Sequence, residues 1–82
     1  MTEREYIART IHNLHNRLGY TLTNKLLNWS SDTEIGIVRF EFKNYIFKYY
    51  FWNKKYYYKR SGDLNYKRIS LKQIFTILKN EE

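Results

Sequence analysis

The sequence predicts a small two-layer α+β domain: a three- or four-stranded antiparallel meander with an N-terminal and a C-terminal helix on one face. Three observations carry that expectation. Apolar residues recur at helical spacing near both ends of the chain. From Ile35 onward the pattern changes to a period of two. Two short turns, placed independently, then assign one set of aromatic residues to a single sheet face.

Thr2 and Glu5 have capping-box spacing and open the first helix. Ile7, Ile11, Leu14 and Leu18 form its apolar stripe, and Gly19 supplies the stop. Arg4, Arg9, Asn13, Asn16 and Arg17 fall mostly on the wet side. The chain from 20 to 34 admits two readings. Leu22, Leu26 and Trp29 fit a short helix, whereas Leu27 with Trp29 fits a strand. Ser30, Ser31 and Asp32 read as a turn.

Strands are expected over 35–42, 45–52 and 55–60, joined at Lys43-Asn44 and Asn53-Lys54. The first turn pairs Phe42 with Tyr45, Phe40 with Phe47 and Val38 with Tyr49. The second pairs Phe51 with Tyr56 and Tyr49 with Tyr58. A slip of one residue in either would mix the faces. Ser61-Gly62-Asp63 closes the third strand, and Tyr66 to Ile69 read as a short fourth. Ser70 with Gln73 repeats the capping box and opens a final helix, with a stripe of Leu71, Ile74, Phe75 and Leu78. Asn80, Glu81 and Glu82 are expected to fray.

Eighty-two residues with no Pro, no linker and no repeat make one domain. Without Cys there is neither a disulfide nor a thiolate to bind metal or attack a substrate. No apolar run approaches the roughly 20 residues that span a bilayer. The opening Met-Thr-Glu-Arg-Glu lacks the order of a signal peptide, so a cytoplasmic protein without a membrane partner is expected. Phe, Tyr, Met, Ile, Asn and Lys, which have AT-rich codons, supply 40 residues, against 10 for Gly, Ala, Arg and Pro. That skew suggests a low-GC bacterium, its phages or its mobile elements.

The charge is not spread evenly. Between Arg39 and Arg68 lie nine cations and two anions, a net +7, while the other 52 residues net to zero. Eleven of the 16 aromatic residues fall between Phe40 and Tyr58, and Tyr66 adds a twelfth. Cations attract phosphate without regard to sequence, and flat rings offer stacking surfaces to bases. The expected register leaves one face to solvent or to a partner. Its rows are Arg39–Lys48–Lys59, Ile37–Tyr50–Tyr57 and Ile35–Trp52–Lys55. Lys59-Arg60 and Lys67-Arg68 flank the Gly62 turn and could grip a backbone like a wing.

The expected nucleic-acid site is therefore Arg39, Lys48, Tyr50, Trp52, Lys55, Tyr57, Lys59, Arg60, Lys67 and Arg68. His12 and His15 are three residues apart on the first helix, but no further ligand completes a site, so no metal and no cofactor are expected. There is no nucleophile elbow, no phosphate-binding glycine loop and no carboxylate pair, so no enzyme is expected.

In topology the order α-β-β-β-α resembles the double-stranded RNA-binding domain and the related HicA-type RNase toxins. That domain's basic Lys-Lys cluster at the start of the last helix is replaced by Ser70-Leu71-Lys72-Gln73, and the toxins' sheet histidine has no counterpart. Neither family is assigned.

The leading expectation is a non-enzymatic single-stranded nucleic-acid-binding protein, with DNA ahead of RNA, serving as a replication or regulatory factor of a phage or mobile element. Single strands are favoured because rings on an open sheet need unstacked bases to receive them. The main alternative is a protein-interaction module: an accessory subunit of a polymerase, primase or helicase, or an inhibitor of a host defence protein. Trp52, Tyr50, Tyr57 and Arg39 are residue types enriched in binding hot spots. A third reading is a duplex binder using the first helix and the Gly62 loop.

Overall fold

A computed structural model describes residues 1–80, so the expected fray at Glu81 and Glu82 lies outside the described residues. The chain is an N-terminal helix, a five-stranded antiparallel meander and a C-terminal helix. The elements in order are α1 (Glu3–Leu18), α2 (Tyr20–Thr23), β1 (Leu27–Asp32), β2 (Ile37–Phe42), β3 (Tyr45–Tyr50), β4 (Lys55–Arg60), β5 (Lys67–Ile69) and α3 (Leu71–Asn80). The strands lie side by side in sequence order. No described helix is long and apolar enough to cross a membrane.

Local chemistry sets the helix ends. The Thr2 hydroxyl accepts from the Glu5 backbone N–H, and the Glu5 carboxylate accepts from Thr2 N–H, each at 3.2 Å. Gly19 ends α1 at φ 87, a conformation that glycine adopts without strain. Ser70 and Gln73 exchange the same pair of bonds, at 3.1 and 2.9 Å, at the start of α3. Asn80 is part of that helix rather than frayed.

Both longer helices contribute to one core on a single face of the sheet. Leu14 and Leu18 of α1 meet Ile74 and Leu78 of α3 over Val38, Phe40, Phe47, Tyr49 and Tyr56. The α1 stripe is deeper toward its C-terminal end, where Thr10 joins Leu14 and Leu18, and Ile7 packs at the margin. In α3, Ile77 rather than Phe75 completes the stripe, and Phe75 is left exposed.

The chain from 20 to 34 contains both expected forms in succession, a one-turn helix and then a strand. Ser30, Ser31 and Asp32 belong to that strand and pair with Arg39, Val38 and Ile37, so the turn expected there is corrected to 33–36. The sheet therefore has five strands, not three or four. Asp32 explains the shift: its carboxylate accepts from Glu34 N–H, and its carbonyl accepts from Gly36 N–H. Asn28 takes φ 57 within an irregularity between Leu27 and Ser30, and Trp29 stacks on Phe40 at 4.7 Å on the helix side.

The β2–β3 register is as expected, with Phe40 facing Phe47 and Val38 facing Tyr49. The β3–β4 register is not. Tyr50 pairs with Lys55 and Tyr49 with Tyr56, so the connection is 51–54 rather than Asn53-Lys54 alone. Two bonds close this longer turn: Lys54 N–H to the Tyr50 carbonyl at 2.8 Å, and Lys55 N–H to the Asn53 side chain at 3.0 Å. The slide is two residues, so every side chain keeps its face while its cross-strand neighbour changes.

Among the described residues one buried polar side-chain atom is unmatched. Thr10 donates its hydroxyl to the Tyr6 carbonyl, but Thr23 Oγ1 is buried without a hydrogen-bond partner. Thr23→Val should therefore stabilise the fold by about 1 kcal/mol, because it replaces an unsatisfied hydroxyl with a methyl of similar size. Urea unfolding of the two proteins checks this, and a loss of stability would mean that the hydroxyl has a partner.

Candidate nucleic-acid interface

The helices cover one face of the sheet. The opposite face carries one continuous row across all five strands: Ser30–Arg39–Lys48–Tyr57–Arg68. On one side of it runs Asp32–Ile37–Tyr50–Lys55. On the other runs Glu41–Ile46–Lys59. The expected row Arg39–Lys48–Lys59 is thus corrected, because the two-residue slide puts Tyr57 across from Lys48. The expected row Ile37–Tyr50–Tyr57 changes for the same reason, with Lys55 opposite Tyr50. The expected row Ile35–Trp52–Lys55 does not form, because Ile35 and Trp52 lie in turns outside the strands.

Lys59 nevertheless stays near Lys48. The loop between β4 and β5 brings Tyr66 onto this face, where its ring lies 4.0 Å from Lys48 Nζ and 5.1 Å from Lys59 Nζ. A ring face attracts an ammonium through its quadrupole, so Tyr66 holds both cations in place. Burial, followed by the like charges of Arg39 and Lys59, pushes the Lys48 ammonium down from its usual 10.5. Tyr66 is pushed up from 10.0, first by burial. Lys48 is thus a half-buried cation between like charges, and an anion beside it would relieve that repulsion. Glu41 is turned to the β1 edge, where it accepts from the Asn28 amide at 3.0 Å.

The rings form a ladder toward one end of the face. Tyr50 meets Tyr57 edge-on at 5.0 Å and Trp52 edge-on at 6.4 Å. Ile37, also on this face, is only 4 % exposed and lies outside the main core cluster. Tyr50 and Tyr57 are half-buried, whereas Trp52 is 74 % exposed in the turn after β3. The face therefore contains a shallow apolar patch and one open ring.

Eight of the ten expected site residues are brought to this face or its rim: Arg39, Lys48, Tyr50, Trp52, Lys55, Tyr57, Lys59 and Arg68. Arg60 and Lys67 are not. Strand alternation turns both to the helix side, where Arg60 pairs with Tyr45 and Lys67 with Tyr58. Arg60 donates to the Tyr45 hydroxyl at 2.9 Å, with its guanidinium 5.1 Å from the same ring. The wing expected from the two dibasic pairs is therefore split between the two sides of the sheet. Tyr66 is the residue that sequence reasoning left out of the site. It precedes β5 and reaches this face through the β4–β5 loop, so strand alternation gave no signal for it.

The two histidines are tied locally. His15 Nε2 lies 3.3 Å from Asn24 Oδ1, and His12 Nε2 lies 3.3 Å from the Asn16 amide nitrogen. Among the described residues no group of three His, Cys, Asp or Glu side chains could hold a metal.

Fold and face together define a class: a small α+β domain with one helix-covered sheet face and one open, basic, aromatic face. No protein-family model matches the chain, and neither a curated protein nor a solved structure matches it.

Proposed function

We propose that the open sheet face binds single-stranded nucleic acid, with DNA as the first ligand to test, and performs no chemistry on it. Phosphates lie along Arg39, Lys48 and Lys59 and continue toward Arg68, while bases stack at Trp52 and at the half-exposed edges of Tyr50 and Tyr57. The observation that carries this reading is the Tyr66 ring beneath two ammonium groups, with Arg39 alongside. Cations and rings are interleaved on one uncovered surface. A single strand suits it better than a duplex, because paired bases hide the faces that rings need. The composition fits a replication or regulatory factor of a phage or mobile element.

Exposure of Trp52 beside cations also suits a protein partner, such as a replication enzyme or a host defence protein. One experiment separates the two. A labelled single strand should bind at about 50 mM salt, and its affinity should fall linearly on a log–log scale as salt rises, because bound counterions are released. Duplex of the same sequence should bind more weakly. Trp52→Ala should weaken the single-strand complex by about 1–3 kcal/mol with little change in melting temperature. Absence of binding to any oligonucleotide at that salt rejects the reading and leaves the protein-partner alternative.

A further inference from the structure

A second basic surface lies on the helix side, between α1 and the β3–β4 connection. It is a groove of about 400 Å³ lined by Asn13, Asn16, Arg17, Tyr49, Lys54 and Tyr56. One end continues to Arg9 and His12. The other continues to Lys55, Arg68 and the amino end of α3 at Ser70 and Leu71. Among the described residues no Asp or Glu lines any part of it.

Two further facts point to a ligand. Tyr49 and Tyr56 are 6 % and 8 % exposed, and their rings lie 4.5 Å apart. Neither phenol oxygen is hydrogen-bonded to a described residue, and neither is among the buried unpartnered atoms, so both face the open groove. Burial raises both phenols above the usual 10.0. Tyr49 raises Tyr56 further, and Arg17 pulls it part of the way back. Each is therefore a neutral O–H donor at physiological pH. Their rings are buried but their hydroxyls are not sealed from solvent, so both O–H groups are open to an acceptor that enters the groove. The amino end of α3 adds the positive end of a helix dipole to the same groove.

We propose that this groove is an anion site for a phosphate monoester. Arg17 and Lys54 supply the charge, and Tyr49, Tyr56, Asn13 and Asn16 supply neutral donors. A monoester carries nearly two negative charges at neutral pH and three acceptor oxygens, which matches two cations among several fixed donors. The groove's volume lies in the range of pockets that hold small molecules. The phosphate comes either from a free nucleotide or from the end of a strand carried on the open sheet face. Lys55 and Arg68 border both surfaces, so one strand could reach from one to the other. The site rests on observations separate from the open-face reading, and either can fail alone.

Inorganic phosphate, titrated at constant ionic strength against sodium chloride, should raise the melting temperature saturably and shift the tyrosine ring signals in NMR spectra. Arg17→Gln should weaken this response at least tenfold. Lys54→Asn should weaken it comparably without lowering the melting temperature of the free protein, because Lys54 sits at φ 58, where Asn is less strained. Lys48→Gln, on the other face, should reduce single-strand binding and leave the part of the phosphate response that depends on Arg17 and Lys54 in place. A response that is linear in phosphate, or equal in Arg17→Gln, is a general salt effect and overturns the site. In a second arm, tighter binding of a 5′-phosphorylated oligonucleotide than of its hydroxyl-ended form assigns the source to a strand end. Equal binding of the two, with a mononucleotide competing against phosphate at the groove, assigns it to free nucleotide.

Discussion

Phe47→Ala should destabilise the protein by about 3–5 kcal/mol, the range for truncating a large aromatic side chain in a core. Phe47 is 0 % exposed at the centre of β3, the middle strand. Its ring stacks between Phe40 at 5.4 Å and Tyr45 at 6.1 Å. The helices close over this layer, so the lost ring leaves a cavity that the sheet backbone cannot collapse to fill. A domain of this size has a total stability of only about 5–15 kcal/mol, so the variant should melt far below the parent protein or fail to fold at 37 °C. Near-ultraviolet circular dichroism during thermal unfolding measures the effect. Tyr57→Ala, on the open face, is the comparison and should fall by less than half as much. Equal losses from the two variants would mean that the faces are not the ones described.

Lys48→Gln should reduce affinity for single-stranded nucleic acid roughly tenfold, the equivalent of losing one charge-assisted contact worth about 1.5 kcal/mol. Its ammonium lies on the middle strand, above Tyr66 and beside Arg39 and Lys59, so a phosphate there is attracted by three cations at once. The salt slope should fall by about one ion, because one phosphate contact is removed. The loss should be similar for all sequences, since phosphate contacts position a strand without reading it. Adding Arg39→Gln should roughly double both effects. The free protein should keep its stability, because the charged form of Lys48 is disfavoured in the fold by burial and by its neighbours. Lys72→Gln, on an exposed turn of α3, is the control. If it matches Lys48→Gln, affinity follows net charge alone and the row is not a site.

Much of this molecule was legible because the relevant physics is local. The Thr2–Glu5 and Ser70–Gln73 boxes mark helix starts through bonds between residues three apart. Gly19 marks a stop through its own backbone freedom. Alternation from Ile37 to Arg60 divides rings and cations between two faces without reference to any other part of the chain. Three things stayed hidden. The first was β1, whose Ser30-Ser31-Asp32 has turn composition and is held as a strand only by pairing with β2. The second was Ile77, which packs against the core while Phe75 is left exposed, a choice set by where α3 lies on the sheet. The third was Tyr66, whose place over Lys48 depends on how a loop folds back across the sheet.

The sequence alone determined which side chains share a face, because facing depends only on whether a residue is odd or even along its strand. It could not determine which residues are neighbours across strands. A slide of two residues preserves every facing and changes every partner, and nothing in an alternating pattern opposes it. Tertiary structure made that choice through the four-residue β3–β4 connection, with Lys54 in the left-handed region and its N–H bonded to Tyr50. That turn put Tyr57 rather than Lys59 opposite Lys48. It replaced the row Arg39–Lys48–Lys59 with Arg39–Lys48–Tyr57–Arg68, which removes one of the two like-charge pairs directly across strands from Lys48.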